Sequence, residues 1–228
     1  MKTVKVFISK FIDGSLSGKK IKQCDLYNRK VIEYCEVADF QQGLEYFLKA
    51  LEIYKKAYAD NPNHPDLARS YNHVGLAYGE LGDYQKELEY ALKALEIDEK
   101  VYADNPNHPS LATSYNNVGS AYGDLGDYQK KLEYQLKALE IRKKVYADYP
   151  NHPDLALIYN NIGATYKEMG KYEEALEYLL KALEIRKILY QDKTYDETMI
   201  KNITRVAECY EALGDDEKAR DYYSMIGD

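Results

Sequence analysis

Three histidines with near-identical surroundings are the first residues of this chain that suggest chemistry. His64, His108 and His152 lie 44 residues apart, within the segments DNPNHP, DNPNHP and DYPNHP. Histidine is a common metal ligand, and zinc needs its ligands at about 2 Å. Neighbouring helices pack about 8 to 10 Å apart, so histidines separated by two further helices cannot meet around one ion. We therefore expect no metal site and interpret these histidines as linker or cap residues.

Asparagines recur at the same interval. A carboxamide offers a hydrogen-bond donor and an acceptor together, so a row of them can bind the backbone of an extended peptide whatever its side chains. The alternative is that these asparagines bond neighbouring helices. The row consists of Asn28, Asn72, Asn116 and Asn160.

A carboxylate follows each of these asparagines by eight residues. Like charges repeated at a constant spacing raise the local negative potential, which favours a Lys- or Arg-bearing ligand and disfavours an acidic one. The alternative is that these side chains are only solvated helix surface. The row consists of Glu36, Glu80, Asp124 and Glu168.

Catalysis and cofactor binding are not favoured by the remaining residues. No grouping of Ser, His and Asp or of Cys and His emerges, and the carboxylates recur along an axis instead of converging on a pocket. The stretch GSLSGKK at 14–20 departs from a nucleotide-binding loop in its glycine spacing and has Lys20 where Ser or Thr would hold magnesium. We expect no enzyme and no cofactor.

The elements that position these residues belong to a tandem repeat. Residues 65–108 and 109–152 are identical at 34 of 44 positions. Helical spacing of apolar residues predicts a first helix that begins at Pro65 and stops at Gly82. A second helix of about 20 residues should follow from Tyr84. All six prolines lie in the three segments that separate such helix pairs.

The repeat register extends to both ends of the chain. It predicts five units, preceded by an N-terminal extension at 1–20. The units are residues 21–64, 65–108, 109–152, 153–196 and 197–228.

The recurring residues resemble the tetratricopeptide repeat. The usual repeat has about 34 residues, and the elongated second helix, with the HPDLA…YNN start of the first helix, resembles the kinesin light chain subtype. The resemblance implies an all-α, right-handed α-solenoid of about five helix-turn-helix units with the first helices along a concave groove. The resemblance is carried by Val74, Gly75, Tyr78, Gly82, Tyr84 and Ala94. In the next unit these residues recur as Val118, Gly119, Tyr122, Gly126, Tyr128 and Ala138. In the unit after that they recur as Ile162, Gly163, Tyr166, Gly170, Tyr172 and Ala182.

Two features depart from the family. Ala175 has the small residue that is usual near the start of the second helix, but Glu87 and Lys131 stand there in the two preceding units. We expect looser packing at these positions, or side chains that reach outward. The segment of kinesin light chains that binds the heavy chain has no counterpart, so a motor role does not carry over.

The two near-identical units differ along one stripe of the first helix. The differing pairs are Arg69/Thr113, His73/Asn117, Leu76/Ser120 and Glu80/Asp124, spaced by four, three and four residues. Because a close-packed core tolerates little variation, we expect this stripe to face away from the core.

The stripe and the two rows together predict a peptide-binding groove. The interpretation is a non-catalytic scaffold that binds a protein or peptide ligand, with a basic peptide favoured if the carboxylate row acts on the ligand. The predicted groove residues are Asn28, Arg69, Asn72, Leu76, Glu80, Thr113, Asn116, Ser120, Asp124, Asn160, Ala164, Lys167 and Glu168.

Charge and segment composition restrict the partners. With 31 basic and 38 acidic residues the net charge is -7, which disfavours nucleic acid. No apolar run approaches the length of a membrane span, and the N-terminus lacks the pattern of a signal peptide. Cys24 and Cys35, in one predicted helix, lie about 16 Å apart, beyond disulfide reach. We therefore expect a cytoplasmic protein without membrane contact.

The N-terminal extension supports an alternative function. Val4, Phe7, Ile8, Phe11 and Ile12 fit a short amphipathic helix. Such a segment can cap the first helix pair, pair with another subunit or contact an anionic membrane. The alternative to a groove is thus a self-associating or membrane-proximal adaptor, and the sequence leaves a monomer and a weak dimer both open.

Overall fold

The computed structural model describes residues 40–190 and 196–227. Within these two ranges all regular secondary structure is helical. The predictions for Asn28, Glu36, the two N-terminal cysteines and the extension at 1–20 lie outside the described residues. The helices are α1 (Phe40–Ala57), α2 (Pro65–Glu80), α3 (Tyr84–Val101), α4 (Pro109–Asp124), α5 (Tyr128–Val145), α6 (Pro153–Glu168), α7 (Tyr172–Tyr190), α8 (Glu197–Ala212) and α9 (Asp216–Ser224).

The repeated histidines are N-caps of first helices, as predicted. Each precedes a proline at the first helical position, where a missing N–H costs nothing. The Nδ1 atom of each imidazole accepts a hydrogen bond from the backbone N–H two residues later. These bonds run from Asp66 to His64 at 3.2 Å, from Ser110 to His108 at 3.2 Å and from Asp154 to His152 at 3.1 Å.

In the helix pairs that the structure describes in full, a glycine turn joins the two helices. Gly82 has a φ of 79°, in the left-handed region where a Cβ atom is unfavourable, and it follows α2 closely. The carboxylate of Asp83 then accepts the backbone N–H of Lys86 and caps α3. The predicted stop at Gly82 is confirmed, and the second helices have 18 or 19 residues in α3, α5 and α7.

The described residues fall into two compact units. Unit 1, within Met1–Asn105, contains α1 to α3, and unit 2, within Pro106–Asp228, contains α4 to α9. In unit 1, α2 packs on both α1 and α3 around a core that includes Leu51 and Val74. In unit 2 each helix packs on the next one, and α6 also contacts α8. The helix pairs therefore pack in tandem within each unit.

The packing at the start of the second helices bears on the large residues Glu87 and Lys131 that depart from the family pattern there. Gly163 permits a close approach of α6 and α7, because a Cβ there would lie 2.6 Å from Leu179 Cγ. Lys131 is half-buried and reaches outward, with its Nζ 5.8 Å from the centroid of the Tyr128 ring. Glu87 instead is buried, with 4% of its surface exposed. The expected outward reach therefore describes Lys131 but not Glu87.

Candidate functional site

The predicted groove residues lie on α2 in unit 1 and on α4 and α6 in unit 2. They differ in how far solvent reaches them. Arg69, Glu80, Ser120, Asp124 and Glu168 are exposed, Leu76, Thr113, Asn116, Ala164 and Lys167 are half-buried, and Asn72 and Asn160 are buried.

The asparagine row is not an open surface. Asn72 and Asn160 are only 8% and 6% exposed, whereas Asn116 is half-buried. The Oδ1 atom of Asn160 accepts a hydrogen bond of 3.2 Å from Arg205 on α8. Asn160 therefore has the alternative role, which is to bond a neighbouring helix, because the carboxamide sits where consecutive first helices meet.

Part of the variable stripe is also buried. His73 and Asn117 are 6% and 7% exposed, so the expectation that this stripe faces away from the core is wrong at this pair. The His73 ring stacks on Phe47 of α1 with centroids 5.4 Å apart. Burial, with a smaller effect of the Arg69 cation, lowers the pKa of His73 to about 3, so the imidazole is neutral at pH 7.

Unit 2 continues the stripe onto α8, which the sequence reasoning missed. Lys167 Nζ on α6 lies 2.8 Å from Glu208 Oε2 on α8, and this hydrogen bond raises the pKa of Lys167. The signal was available, because the 44-residue register aligns Glu208 with Ala164 and Ser120. Together with the Asn160 to Arg205 bond, this ion pair joins the first helices α6 and α8.

The sequence reasoning also missed an exposed leucine, although the repeat register aligns it with residues of the predicted stripe. Leu157 on α6 is 48% exposed and occupies the register position of Arg69 and Thr113. A large apolar side chain on an otherwise polar helix face can contact an apolar group of a ligand. Leu157 therefore belongs with the candidate surface.

The carboxylate row is exposed throughout the described helices. Glu80, Asp124 and Glu168 each end a first helix, where the helix dipole adds to the negative potential. The neighbouring cation Lys167 is paired with Glu208. Exposed carboxylates thus stand at the ends of α2, α4 and α6.

We define the first-helix surface as the predicted groove residues that solvent reaches, together with Leu157 and Glu208, taken separately in each unit. In unit 1 it comprises Arg69, Leu76 and Glu80, and in unit 2 Thr113, Asn116, Ser120, Asp124, Leu157, Ala164, Lys167, Glu168 and Glu208.

In the part of the chain that the structure describes, no helix combines the length and apolar character needed to cross a bilayer. In the same residues, no three His, Cys, Asp or Glu side chains converge as metal ligands. Cys209 is fully buried, and its burial raises the pKa of the thiol to about 11, which makes it unreactive at neutral pH.

Comparison with known proteins identifies the repeat. The sequence profile described as Tetratricopeptide repeat matches residues 24–100 and 110–188, which is more than half of the chain. No curated protein sequence matches.

Several solved structures share the fold. A putative kinesin light chain from Podosopora anserina with nearly identical TPR-like repeats is 21% identical, with a TM-score of 0.71 over 90% of this chain and 92% of that one. BtubC (BKLC) from P. vanneervenii is 22% identical, with a TM-score of 0.68 over 92% and 90% of the two chains. The apo form of RapI is 19% identical, with a TM-score of 0.72 over 89% of this chain and 68% of that one. The predicted all-α repeat fold of kinesin-light-chain-like type is thus confirmed.

Proposed function

Since the chain belongs to the tetratricopeptide repeat family, we propose that it is a non-catalytic scaffold that binds an extended peptide or a partner protein along its first-helix surface. The repeat fold is that of protein–protein interaction scaffolds. We propose that this scaffold acts in the cytoplasm and needs no cofactor.

The pairing of the first helices α6 and α8 in unit 2 is the observation that carries this proposal. The two bonds between α6 and α8 hold equivalent faces together, with Asn160 and Lys167 as the α6 partners. Outside these bonds, Ser120 and Asp124 on α4 and Leu157 on α6 are open to solvent. A surface with exposed polar groups around one apolar side chain suits an extended peptide, whose backbone needs hydrogen bonds and whose side chains need separate contacts.

We further propose that the ligand carries Lys or Arg. The exposed carboxylates at the ends of the first helices favour a cation by their common charge. A cation of the ligand would lie against Glu168, which is exposed at the end of α6, since Glu208 already binds Lys167. The buried Asn72 and Asn160 are not expected to meet the ligand directly.

A selection from a random peptide library tests the scaffold proposal. The full chain should enrich peptides, and Ser120→Arg should weaken their binding about tenfold or more, because a long side chain then fills the exposed surface of α4. Gln129→Arg is the matched control, since Gln129 is exposed on the second helix α5. Enriched peptides that bind both variants equally would place recognition elsewhere, and failure to enrich any peptide would contradict the proposal.

The charge preference has its own test. Asp124→Asn with Glu168→Gln should weaken a Lys-containing peptide severalfold and flatten the dependence of its affinity on salt. Glu133→Gln with Glu177→Gln removes the same charge from exposed positions of the second helices and should have a smaller effect. Equal effects of the two pairs would leave the scaffold intact but remove the preference for a basic ligand.

A further inference from the structure

Three of the turns between paired helices hold a lysine of the chain over a tyrosine ring. In each case the tyrosine lies near the end of the first helix and the lysine lies in the first turn of the second helix. An aromatic ring attracts a cation to its electron-rich face within about 6 Å. The distances from the ammonium to the ring centroid are 4.7 Å for Lys86 and Tyr78, 4.7 Å for Lys130 and Tyr122, and 5.1 Å for Lys218 and Tyr210.

A carboxylate completes each of these three cation sites. The lysine ammonium lies 2.9 Å from Asp83 in the α2–α3 turn, 3.6 Å from Asp127 in the α4–α5 turn and 2.7 Å from Asp215 in the α8–α9 turn. Each aspartate precedes its lysine by three residues. The ring and the carboxylate thus act on the same ammonium, which the chain supplies itself.

The α6–α7 turn has the same tyrosine but not the lysine. Tyr166 stacks on Tyr178 with centroids 5.5 Å apart, and the equivalent stacks of the other three turns measure 5.5 to 5.6 Å. The register places Glu174 at the lysine position and Lys171 at the aspartate position, and both are exposed. Among the residues that the structure describes, no ammonium or guanidinium group lies over the Tyr166 ring. This ring therefore keeps its aromatic partner and lacks its cation.

We propose that Tyr166 and Glu174 form a binding site for the lysine side chain of a partner protein. The ring face that Lys86, Lys130 and Lys218 cover in the other turns is left for an ammonium group from outside. Glu174 places a carboxylate at the backbone position from which those lysines reach the ring. The ammonium of the partner thus takes the place of the internal one, between an aromatic face and a carboxylate.

The charges around this turn favour a cation. Glu173 and Glu174 both lie in the first turn of α7 and are exposed, and Lys171 is the one cation within the turn. The next lysine along α7 is already paired, because the ammonium of Lys181 lies 2.7 Å from Glu177. Carboxylates are therefore in excess over cations at this turn, which attracts an ammonium group and disfavours an acidic one.

This lysine site is separate from the first-helix surface and does not depend on the proposed function. Residues two apart on a helix point about 200° away from each other, so Tyr166 and Glu168 lie on different sides of α6. Neither Tyr166 nor Glu174 belongs to the first-helix surface. A partner can therefore contact the lysine site whether or not a peptide binds along the first helices.

NMR spectra of the full chain with isotope-labelled tyrosine test the proposal. The signal of Tyr166 is the one that disappears in Tyr166→Phe. The probe is a short glycine peptide with one central lysine, and the same peptide with norleucine in place of the lysine is its uncharged match. The lysine peptide should shift the Tyr166 signal in a saturable manner, whereas the norleucine peptide should leave it in place.

An exchange of two residues should close the site without changing the net charge of the chain. Lys171→Asp with Glu174→Lys gives this turn the charged residues of the α4–α5 turn. The new lysine should cover the Tyr166 ring and weaken binding of the lysine peptide about fivefold or more. A Tyr166 signal that does not respond to the lysine peptide, or that responds equally after the exchange, would overturn the proposal.

The reverse exchange should open a site in unit 1. Asp83→Lys with Lys86→Glu imports the charged residues of the α6–α7 turn, which forms with Lys171 in place of an aspartate. The Tyr78 signal, which the lysine peptide should leave in place in the wild-type chain, should then shift like that of Tyr166. A Tyr78 signal that shifts equally in the wild-type chain would mean that the internal lysine does not block the ring, and would also overturn the proposal.

Discussion

The helix pairs α2–α3 and α4–α5 are near-copies whose few differences have different consequences. They share 34 of 44 residues over 65–108 and 109–152, and the shared residues build the same frame. Tyr78 stacks on Tyr90 with centroids 5.5 Å apart, and Tyr122 stacks on Tyr134 at 5.6 Å. The frame therefore tolerates changes at the remaining positions.

Two of the differing positions, His73/Asn117 and Ala91/Gln135, are buried in both copies. Ala91 is 3% exposed and its counterpart Gln135 is 4% exposed. Gln135 has a matching partner, because its Oε1 accepts a hydrogen bond of 2.9 Å from the Thr165 hydroxyl on α6. Variation between repeats thus reflects the neighbour that each helix packs against, and it does not by itself indicate an exposed surface.

The largest effect on stability is expected at the equivalent buried positions His73 and Asn117, because only the histidine can be protonated. The pKa of His73 is lowered to about 3 by burial, whereas an unfolded histidine has a pKa of about 6.5. As pH falls below about 6.5, the unfolded chain binds a proton that the folded chain refuses, so stability is lost down to about pH 3. Between pH 7 and pH 4 this costs unit 1 roughly 3 kcal/mol.

His73→Asn, which imports the residue of α4, should remove this pH dependence. Urea unfolding of both proteins at pH 7 and pH 4 measures it, with helical circular dichroism as the signal. Asn117→Ala in the other copy is the control and should leave the acid sensitivity in place. An unchanged loss of stability in the His73→Asn chain would contradict the assignment of the acid-sensitive group.

The next largest effect on stability is expected for the hydrogen-bonded side chains of Gln135 on α5 and Thr165 on α6. Thr165→Val removes the donor and leaves the buried Gln135 Oε1 without its hydrogen bond, which should cost about 1 to 3 kcal/mol. In the following interface, Leu179 and Cys209 occupy the same register positions and pack in one apolar cluster. Gln135→Leu with Thr165→Cys should therefore recover most of the loss.

The midpoint of urea unfolding for the single and double variants gives the coupling between the two positions. Ala91→Gln tests the reverse exchange, since it places a larger polar side chain at a position of α3 that is 3% exposed. It should destabilise unit 1 through overpacking. A neutral Ala91→Gln would contradict the view that each buried difference is matched to its neighbour.

A smaller effect is expected at the helix starts. Tyr146 donates a hydrogen bond of 2.7 Å to Asp154 Oδ2, and together with burial the carboxylate raises the pKa of Tyr146 to about 12. The cap of α4 has Ser110 at the position of Asp154. Asp154→Ser should cost about 1 kcal/mol, and Tyr146→Phe should cost about the same, because each removes one hydrogen bond. The double variant should cost no more than either, and additive losses would contradict a direct bond.

The bounds of the helices could be predicted from residues within each turn, whereas the burial of the candidate site residues could not. Pro65 and Gly82 act within their own turns, so the bounds of α2 could be read from the sequence. Whether Asn160 is open to solvent depends on Arg205, which is 45 residues away and on another helix. Such contacts depend on the packing of several helices, and the internal comparison of two repeats does not contain that information.

The smallest change in stability is expected for substitution of Lys131, because its side chain reaches outward from the helix pair. Its stem crosses Gly123, since a Cβ on that glycine would lie 2.5 Å from Lys131 Cδ, and its charge stays near the Tyr128 ring. Ala175 holds this position in α7, so Lys131→Ala is compatible with the fold and should change stability by no more than about 0.5 kcal/mol. Urea unfolding of this variant beside Ala175→Lys measures the contrast. Because Ala175 is fully buried, the lysine there should be clearly destabilising. Equal effects at both positions would mean that the outward reach of Lys131 is a general property of these helix pairs and not of its own repeat.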